Sequence, residues 1–272
     1  MTLESTSEDL NMSKTFSVEK GVLIVAVILS IVAWYISFKS DYILTYNDAA
    51  SHLNISRRVV DSLTPGLAQI GTVWLPLPHL LMLPFAWNDF MWHTGFAGSI
   101  VSMSSYVVSV LFLYKLIYVL TKNKIASVIG VLLYGLNPNL LYMQTTPMTE
   151  PLLLMTIIIA VYFLAKYVRE RKITDLIFCS VFVAASTLIR YDGWFLFLSL
   201  SVVLPVWMYF LYGYKRAEST FFLFIFAGGF GIFLWIFWNL TIFGDAFYFI
   251  SGPYSAAAQQ KVLKSVGQLP TE

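Results

Sequence analysis

Asp48 and His52 stand four positions apart, the spacing that puts two side chains on one face of a helix. Asp48 offers a carboxylate that can take a proton from an attacking hydroxyl. Glu150 precedes Pro151 in Pro147-Met148-Thr149-Glu150-Pro151, and Arg190, Tyr191 and Asp192 are consecutive before Gly193. Arginine carries a planar fork of donors suited to a phosphate, and Arg57 and Arg58 add two more. Each residue also has a plain reading. Asp48 could cap a helix, Glu150 and Asp192 could complement helix starts, and Arg190 could be a snorkelling anchor. His79 and His93 read as interfacial residues.

The elements that must position these groups are membrane helices. Of 272 residues, 58% are hydrophobic and 12% charged, against about a quarter charged in an ordinary soluble domain. Mean hydropathy is +0.73. A net charge of +2, spread over separate loops, makes no basic face for nucleic acid, so that partner is excluded. The lone Cys179 lies in an apolar run and reads as a small buried hydrophobe.

About 20 apolar residues cross the hydrocarbon layer as a helix. Seven runs qualify: 21–38, 96–120, 125–142, 151–165, 174–189, 194–212 and 219–238. The expected fold is therefore all-α, a polytopic transmembrane bundle of about seven spans. Residues 73–87 are also apolar, but Pro76, Pro78 and Pro84 each remove a backbone donor, so this stretch is expected to be re-entrant or interfacial. Residues 1–20 form a polar cytoplasmic tail, 21–254 the membrane module with a first outer loop at 39–95, and 255–272 an outer C-terminal segment of a chain that reads as truncated.

With the N-terminus in the cytoplasm, eleven of the seventeen Lys and Arg residues fall on inner loops, as membrane insertion favours. Counting 73–87 as a full span would put the Lys166 to Lys172 cluster outside. Asp48, Glu150, Arg190 and Asp192 then share the outer side, with residues 49–63 as an amphipathic surface helix whose apolar stripe is Ala49, Leu53, Val59, Val60 and Leu63. Asn47 or Asp48 is expected at its N-cap. Ionisable groups at a membrane surface are expensive and commonly functional. The sequons at Asn54 and Asn239 also fall outside.

In this order the motifs resemble the GT-C glycosyltransferase superfamily, most nearly the dolichyl-phosphate-mannose protein mannosyltransferases. Tyr46-Asn47-Asp48 stands where that family has its acidic first-loop motif, with Asn47 where many relatives carry a second acid. Pro147-Met148-Thr149-Glu150-Pro151 is similar to its Ser-Glu-Pro element, and Arg190-Tyr191-Asp192-Gly193 to its Arg-Pro-Glu-Gly element.

The resemblance implies sugar transfer from a polyprenyl (dolichyl-type) phosphate to a protein, lipid or glycan acceptor, in the bilayer, on the extracytoplasmic face. Asp48 is then the expected base and Arg190, with Arg57 or Arg58, the expected phosphate partner. Glu150, Asp192, Tyr191 and His52 complete the substrate-binding set. Asp48 and Glu150 admit a divalent cation, Mg or Mn, since hard ions take oxygen ligands. Two other classes fit the composition, a lipid or small-solute transporter and a non-catalytic subunit of a glycosylation complex. A transporter would place polar residues near the midplane, whereas these spans are apolar there.

Overall fold

In a computed structural model the backbone is described for residues 3–70 and 72–266, and side chains for residues 18–70 and 72–266. Among the described residues the regular elements are helices and there is no strand. In chain order they are α1 (Leu3–Lys39), α2 (Asn47–Arg58), a 3-10 turn at Leu67–Gln69, α3 (Leu77–Ala86), α4 (Asp89–His93), α5 (Phe96–Thr121), α6 (Lys124–Gly135) and α7 (Pro138–Met143). There follow α8 (Glu150–Glu170), α9 (Ile173–Thr187), α10 (Asp192–Tyr212), α11 (Tyr214–Gly228), α12 (Phe230–Phe243), α13 (Tyr248–Ser251) and α14 (Ala256–Ser265). The chain is an all-α polytopic bundle.

Five stretches are long and apolar enough to span a bilayer by themselves: Val18–Lys39, Phe96–Thr121, Glu150–Glu170, Asp192–Tyr212 and Tyr214–Phe243. The other two expected spans are shorter helices. The third breaks after Gly135, where Asn137 caps α7 through its side chain and Pro138 opens it. A proline at the first turn lacks only an N–H that would be unpaired anyway. The fifth is the 15-residue α9, about 22 Å long at helical rise. The seventh is two helices that meet at Gly228 and Gly229.

Lipid tails are as apolar as leucine, so packing and hydrogen bonds hold such helices together. On α5 the buried residues Ser99, Ser102, Ser105 and Ser109 lie on one face. Their small side chains let neighbouring backbone approach closely. A second core forms where Tyr167, Leu176, Cys179, Leu204, Met208 and Phe224 meet between α8, α9, α10 and α11, which bears out the reading of Cys179.

The proline-rich stretch does not cross the bundle. At the N-terminal end of α3 the Leu77 amide donates to the Leu188 carbonyl at 3.0 Å. At its C-terminal end, the Ala86 and Trp87 carbonyls accept from Arg57 Nη1 of α2. Ten residues span about 15 Å, half the hydrocarbon layer. Pro78 sits in the first turn, where its missing N–H costs nothing.

Three local expectations are corrected. Helix α2 stops at Arg58, and Leu63 leaves the stripe to become fully exposed, because the chain turns after Val60 instead of continuing the helix. The N-cap of α2 is Tyr46, without a side-chain cap, so neither Asn47 nor Asp48 caps it. Asn239 is fully buried in α12 and donates to the Trp235 carbonyl at 2.8 Å; its sequon is sealed by packing.

Candidate functional site

Glu150 begins α8 immediately after a six-residue connection, Gln144 to Thr149, that is buried throughout. Buried backbone carbonyls must be paired, and α5 supplies donors: Ser99 Oγ to the Thr145 carbonyl at 2.6 Å and Ser102 Oγ to the Met148 carbonyl at 3.0 Å. Ser30 of α1 donates to Gln144 Oε1 at 2.7 Å, and Thr145 Oγ1 donates to Ser37 Oγ at 3.0 Å. A Cβ on Gly98 would lie 2.3 Å from Pro147, so only glycine lets α5 approach this connection so closely. The connection that leads into Glu150 is thus fixed by α1 and α5.

Arg190 lies in the short link from α9 to α10. A Cβ on Gly193 would overlap the Ser186 carbonyl at 2.3 Å, so the start of α10 folds directly onto the end of α9. The Arg190 guanidinium then bridges two acids. Nη1 donates to Glu150 Oε1 at 2.8 Å and to Thr149 Oγ1 at 3.2 Å, while Nε donates to Asp192 Oδ2 at 3.1 Å. Its Nη2 makes no bond among the described residues, leaving a donor for an anion. Glu150 Oε2 is buried with no hydrogen-bond partner there, an acceptor awaiting a donor.

Tyr191 ties this link to the first loop, its hydroxyl donating to the Val73 carbonyl at 2.8 Å. Burial pushes that hydroxyl up to about 12, so it stays protonated at neutral pH. The segment from Val73 to Leu77 therefore runs beside Arg190, and Trp74 within it lies tilted against His52 with ring centroids 4.4 Å apart. His52 feels both Asp48, one turn earlier on α2, and Arg190. Asp48 is exposed, and His52 is buried.

His52 does not face solvent alone. Its Nδ1 lies 2.9 Å from Nε2 of the fully buried His79. Burial holds His52 down to about 4, with Asp48 opposing the shift and Arg190 adding to it. His79 is lowered in the same direction, by burial first and then by His52. Both rings are neutral at pH 7.

The two other arginines separate. Arg57 Nη2 pairs with Asp61 at 2.8 Å and Asp89 at 2.6 Å, and its guanidinium sits 4.8 Å from the Trp92 ring centroid. It is a clamp joining α2, α3 and α4, and its donors are spent on protein. Arg58 is exposed and close enough to His79 to disfavour a proton there. Sequence reading took His79 for an interfacial residue and gave Trp74 and Thr149 no role. Nothing in their spacing points to the site, although a histidine inside an apolar segment implies a buried partner.

An apolar cavity of about 300 Å³ between α1, α5 and α6 is lined by other elements and holds none of these charges. For a divalent ion, the donor set is poor. Among the described residues no three His, Cys, Asp or Glu side chains gather. Glu150 Oε1 already bonds Arg190, whose positive charge would repel a metal held beside it.

Apolar spans, a buried polar connection and an arginine between two acids at one end of the bundle define an integral membrane protein with a charged site at its rim. A family model, dolichyl-phosphate-mannose-protein mannosyltransferase, matches residues 89–243, more than half of the chain. The chain belongs to that family and is a membrane glycosyltransferase of the GT-C type. The match includes Glu150, Arg190 and Asp192 and begins after Asp48, His52 and His79. No curated protein and no solved structure matches the chain.

Proposed function

We propose that the chain transfers a mannosyl group from a dolichyl-type phosphate to a hydroxyl acceptor, at the rim formed by α2, the start of α8 and the α9–α10 link. The observation that carries this reading is Arg190, fixed by Glu150, Thr149 and Asp192 with Nη2 still open. A lipid-phosphate donor keeps its tail in the bilayer and its phosphate at headgroup level, where such an arginine is useful.

In the proposed step the acceptor oxygen attacks the anomeric carbon as its proton passes to the Asp48 carboxylate. The bond from that carbon to the phosphate oxygen breaks, and its electron pair leaves with the phosphate. Arg190 Nη2 donates to the phosphate oxygens as their charge grows, a role worth most in a site that excludes water. Glu150 and Asp192 keep the guanidinium oriented. A single displacement inverts the anomeric centre. No step needs a metal, since Arg190 supplies the positive charge. Arg57 drops out of the phosphate role because its donors are occupied. The distribution of Lys and Arg supports an extracytoplasmic site with a cytoplasmic N-terminus.

The test is transfer from radiolabelled dolichyl-phosphate-mannose by the purified chain in lipid nanodiscs, with membrane protein, lipid and glycan fractions offered as acceptors. Label should move to one fraction while dolichyl phosphate accumulates. Donor binding without turnover in any fraction would instead favour transport or a non-catalytic subunit.

A further inference from the structure

Helix α1 packs along α5 and barely meets α6, and the gap between them is the apolar cavity of about 300 Å³. Its floor, with Ala26, Tyr106 and Val131, is buried, while its rim at Gly21, Val25 and Leu132 is exposed. It is therefore a groove open sideways to lipid. Contacts at both ends fix its shape. Ser30 and Ser37 of α1 bond Gln144 and Thr145 at the end nearer Glu150, and Glu19 pairs with Lys115 at 3.8 Å at the far end. Tyr106 Oη donates to the Gly135 carbonyl at 2.8 Å and holds the end of α6 on α5. A Cβ on Gly21 would meet nothing within 4 Å, so α1 leaves room for a side chain at this point.

Size and lining select the occupant. Along α1 the groove runs from Val18 to Leu29, about 16 Å at helical rise, close to half of the roughly 30 Å hydrocarbon layer. That is the depth of one leaflet. An apolar cavity of about 150 Å³ already takes benzene, so there is space here for a stretch of hydrocarbon chain. The Tyr106 hydroxyl is spent on Gly135 and the remaining lining side chains are apolar, so a polar ligand would lose its hydrogen bonds there. Charge lies at one end only. On α6 the stripe Val128, Val131 and Gly135 that lines the groove continues one turn earlier to Lys124. Lys124 opens α6, where a helix end is positive, and no carboxylate pairs with it among the described residues. Lys20 precedes Gly21, Lys122 lies in the link from α5 to α6, and Glu19 is already paired with Lys115.

We propose that this groove binds one acyl chain of an anionic phospholipid from the leaflet on the Lys124 side, with the lipid phosphate meeting the Lys124 ammonium. The proposal stands apart from the transfer reading, because the groove is lined by none of the groups assigned to that reaction. A donor phosphate at Arg190 lies at the other face of the membrane. The seated chain ties α1 to α6, which share few contacts of their own. On the topology proposed above this is the cytoplasmic leaflet, whose anionic lipids attract basic side chains.

The experiment places the full chain in phosphatidylcholine nanodiscs with phosphatidylserine that carries a photoactivatable diazirine midway along one acyl chain. Labelled peptides are mapped by mass spectrometry. Label should concentrate on residues 18–29 and 128–136, and phosphatidylcholine with the same diazirine should give about fivefold less, the worth of one lysine near an anionic headgroup. Lys124→Gln should erase that preference. Gly21→Ala should label as the wild type does, since one methyl fits the open space, whereas Gly21→Leu should fill the groove and lose most of the label there. Equal labelling of Gly21→Leu and wild type overturns the proposal, as does a wild type without headgroup preference. Displacement of the label by dolichyl phosphate would assign the groove to the donor tail, and its loss when two chains share a disc would assign it to a second copy; either result overturns the proposal. Should Gly21→Leu fail to fold, Lys124→Gln decides, being changed at a partly exposed helix start.

Discussion

Arg190 reaches Glu150 across forty positions of sequence, with Nη1 2.8 Å from Oε1. Both residues sit at helix boundaries, and the ion pair closes the end of α8 against the α9–α10 link. Replacing Arg190 with alanine should weaken binding of dolichyl-phosphate-mannose by about ten- to a hundredfold, the usual cost of a hydrogen bond to a charged group. Arg190→Lys should recover part of it, because a point charge lacks the fork geometry. Equilibrium binding in nanodiscs measures both, and unchanged affinity in Arg190→Ala sinks the phosphate role.

Asp48→Asn keeps the shape of the side chain and removes its basicity. Loss of a general base is worth about a hundred- to ten-thousandfold in kcat, with donor affinity little changed. Single-turnover transfer rates give the answer; an unaffected rate would remove Asp48 from the mechanism.

Arg57 makes two carbonyl bonds and two carboxylate pairs and covers Trp92. Arg57→Ala should therefore loosen the first loop, seen as faster limited proteolysis between residues 58 and 95. Turnover per intact molecule should change far less than in Asp48→Asn. The reverse pattern would return Arg57 to the reaction centre.

Stability should depend on pH through His52. Its folded value of about 4 lies below the ordinary 6.5, so between these limits the unfolded chain binds the extra proton. Stability is then complete above about pH 6.5 and declines as pH falls towards 4. Thermal unfolding in nanodiscs should show Tm falling over that window, and His52→Gln should flatten the fall. An equally steep decline in His52→Gln would assign it elsewhere.

Expression in a host that glycosylates Asn-x-Ser/Thr sites offers a check on orientation. Asn54 is exposed, though it accepts from Trp92 Nε1 at 3.0 Å, and should be modified. Asn239 should not be, being buried within α12. Modification at Asn11 would reverse the topology.

The helical bundle was legible because hydropathy is local: a run of apolar residues has to become a helix in lipid wherever its neighbours lie. That residues 73–87 hold no full-length span was legible in their three prolines, and the helix there, Leu77–Ala86, is ten residues long. Helix breaks were harder. Asn137-Pro138 marks the break after Gly135, but apolar character runs straight through Gly228 and Gly229, so there composition cannot tell one helix from two. The surface stripe ended early because a turn after Val60, and not periodicity, decides where Leu63 goes.

The candidate residues divide in the same way. Sequence alone determined that this is a polytopic membrane protein, and that Asp48, Glu150, Arg190 and Asp192 stand at helix ends, since charge is excluded from the apolar spans. Tertiary structure decided what each charge meets. Arg57 at the end of α2 and Arg190 in the α9–α10 link are the same residue type, yet one is consumed by backbone carbonyls and two aspartates while the other retains an open donor. His79 looked like an interfacial histidine until the fold set it against His52. Such pairings depend on contacts between segments 27 to 40 positions apart, and no local pattern encodes them because helix packing brings those segments together.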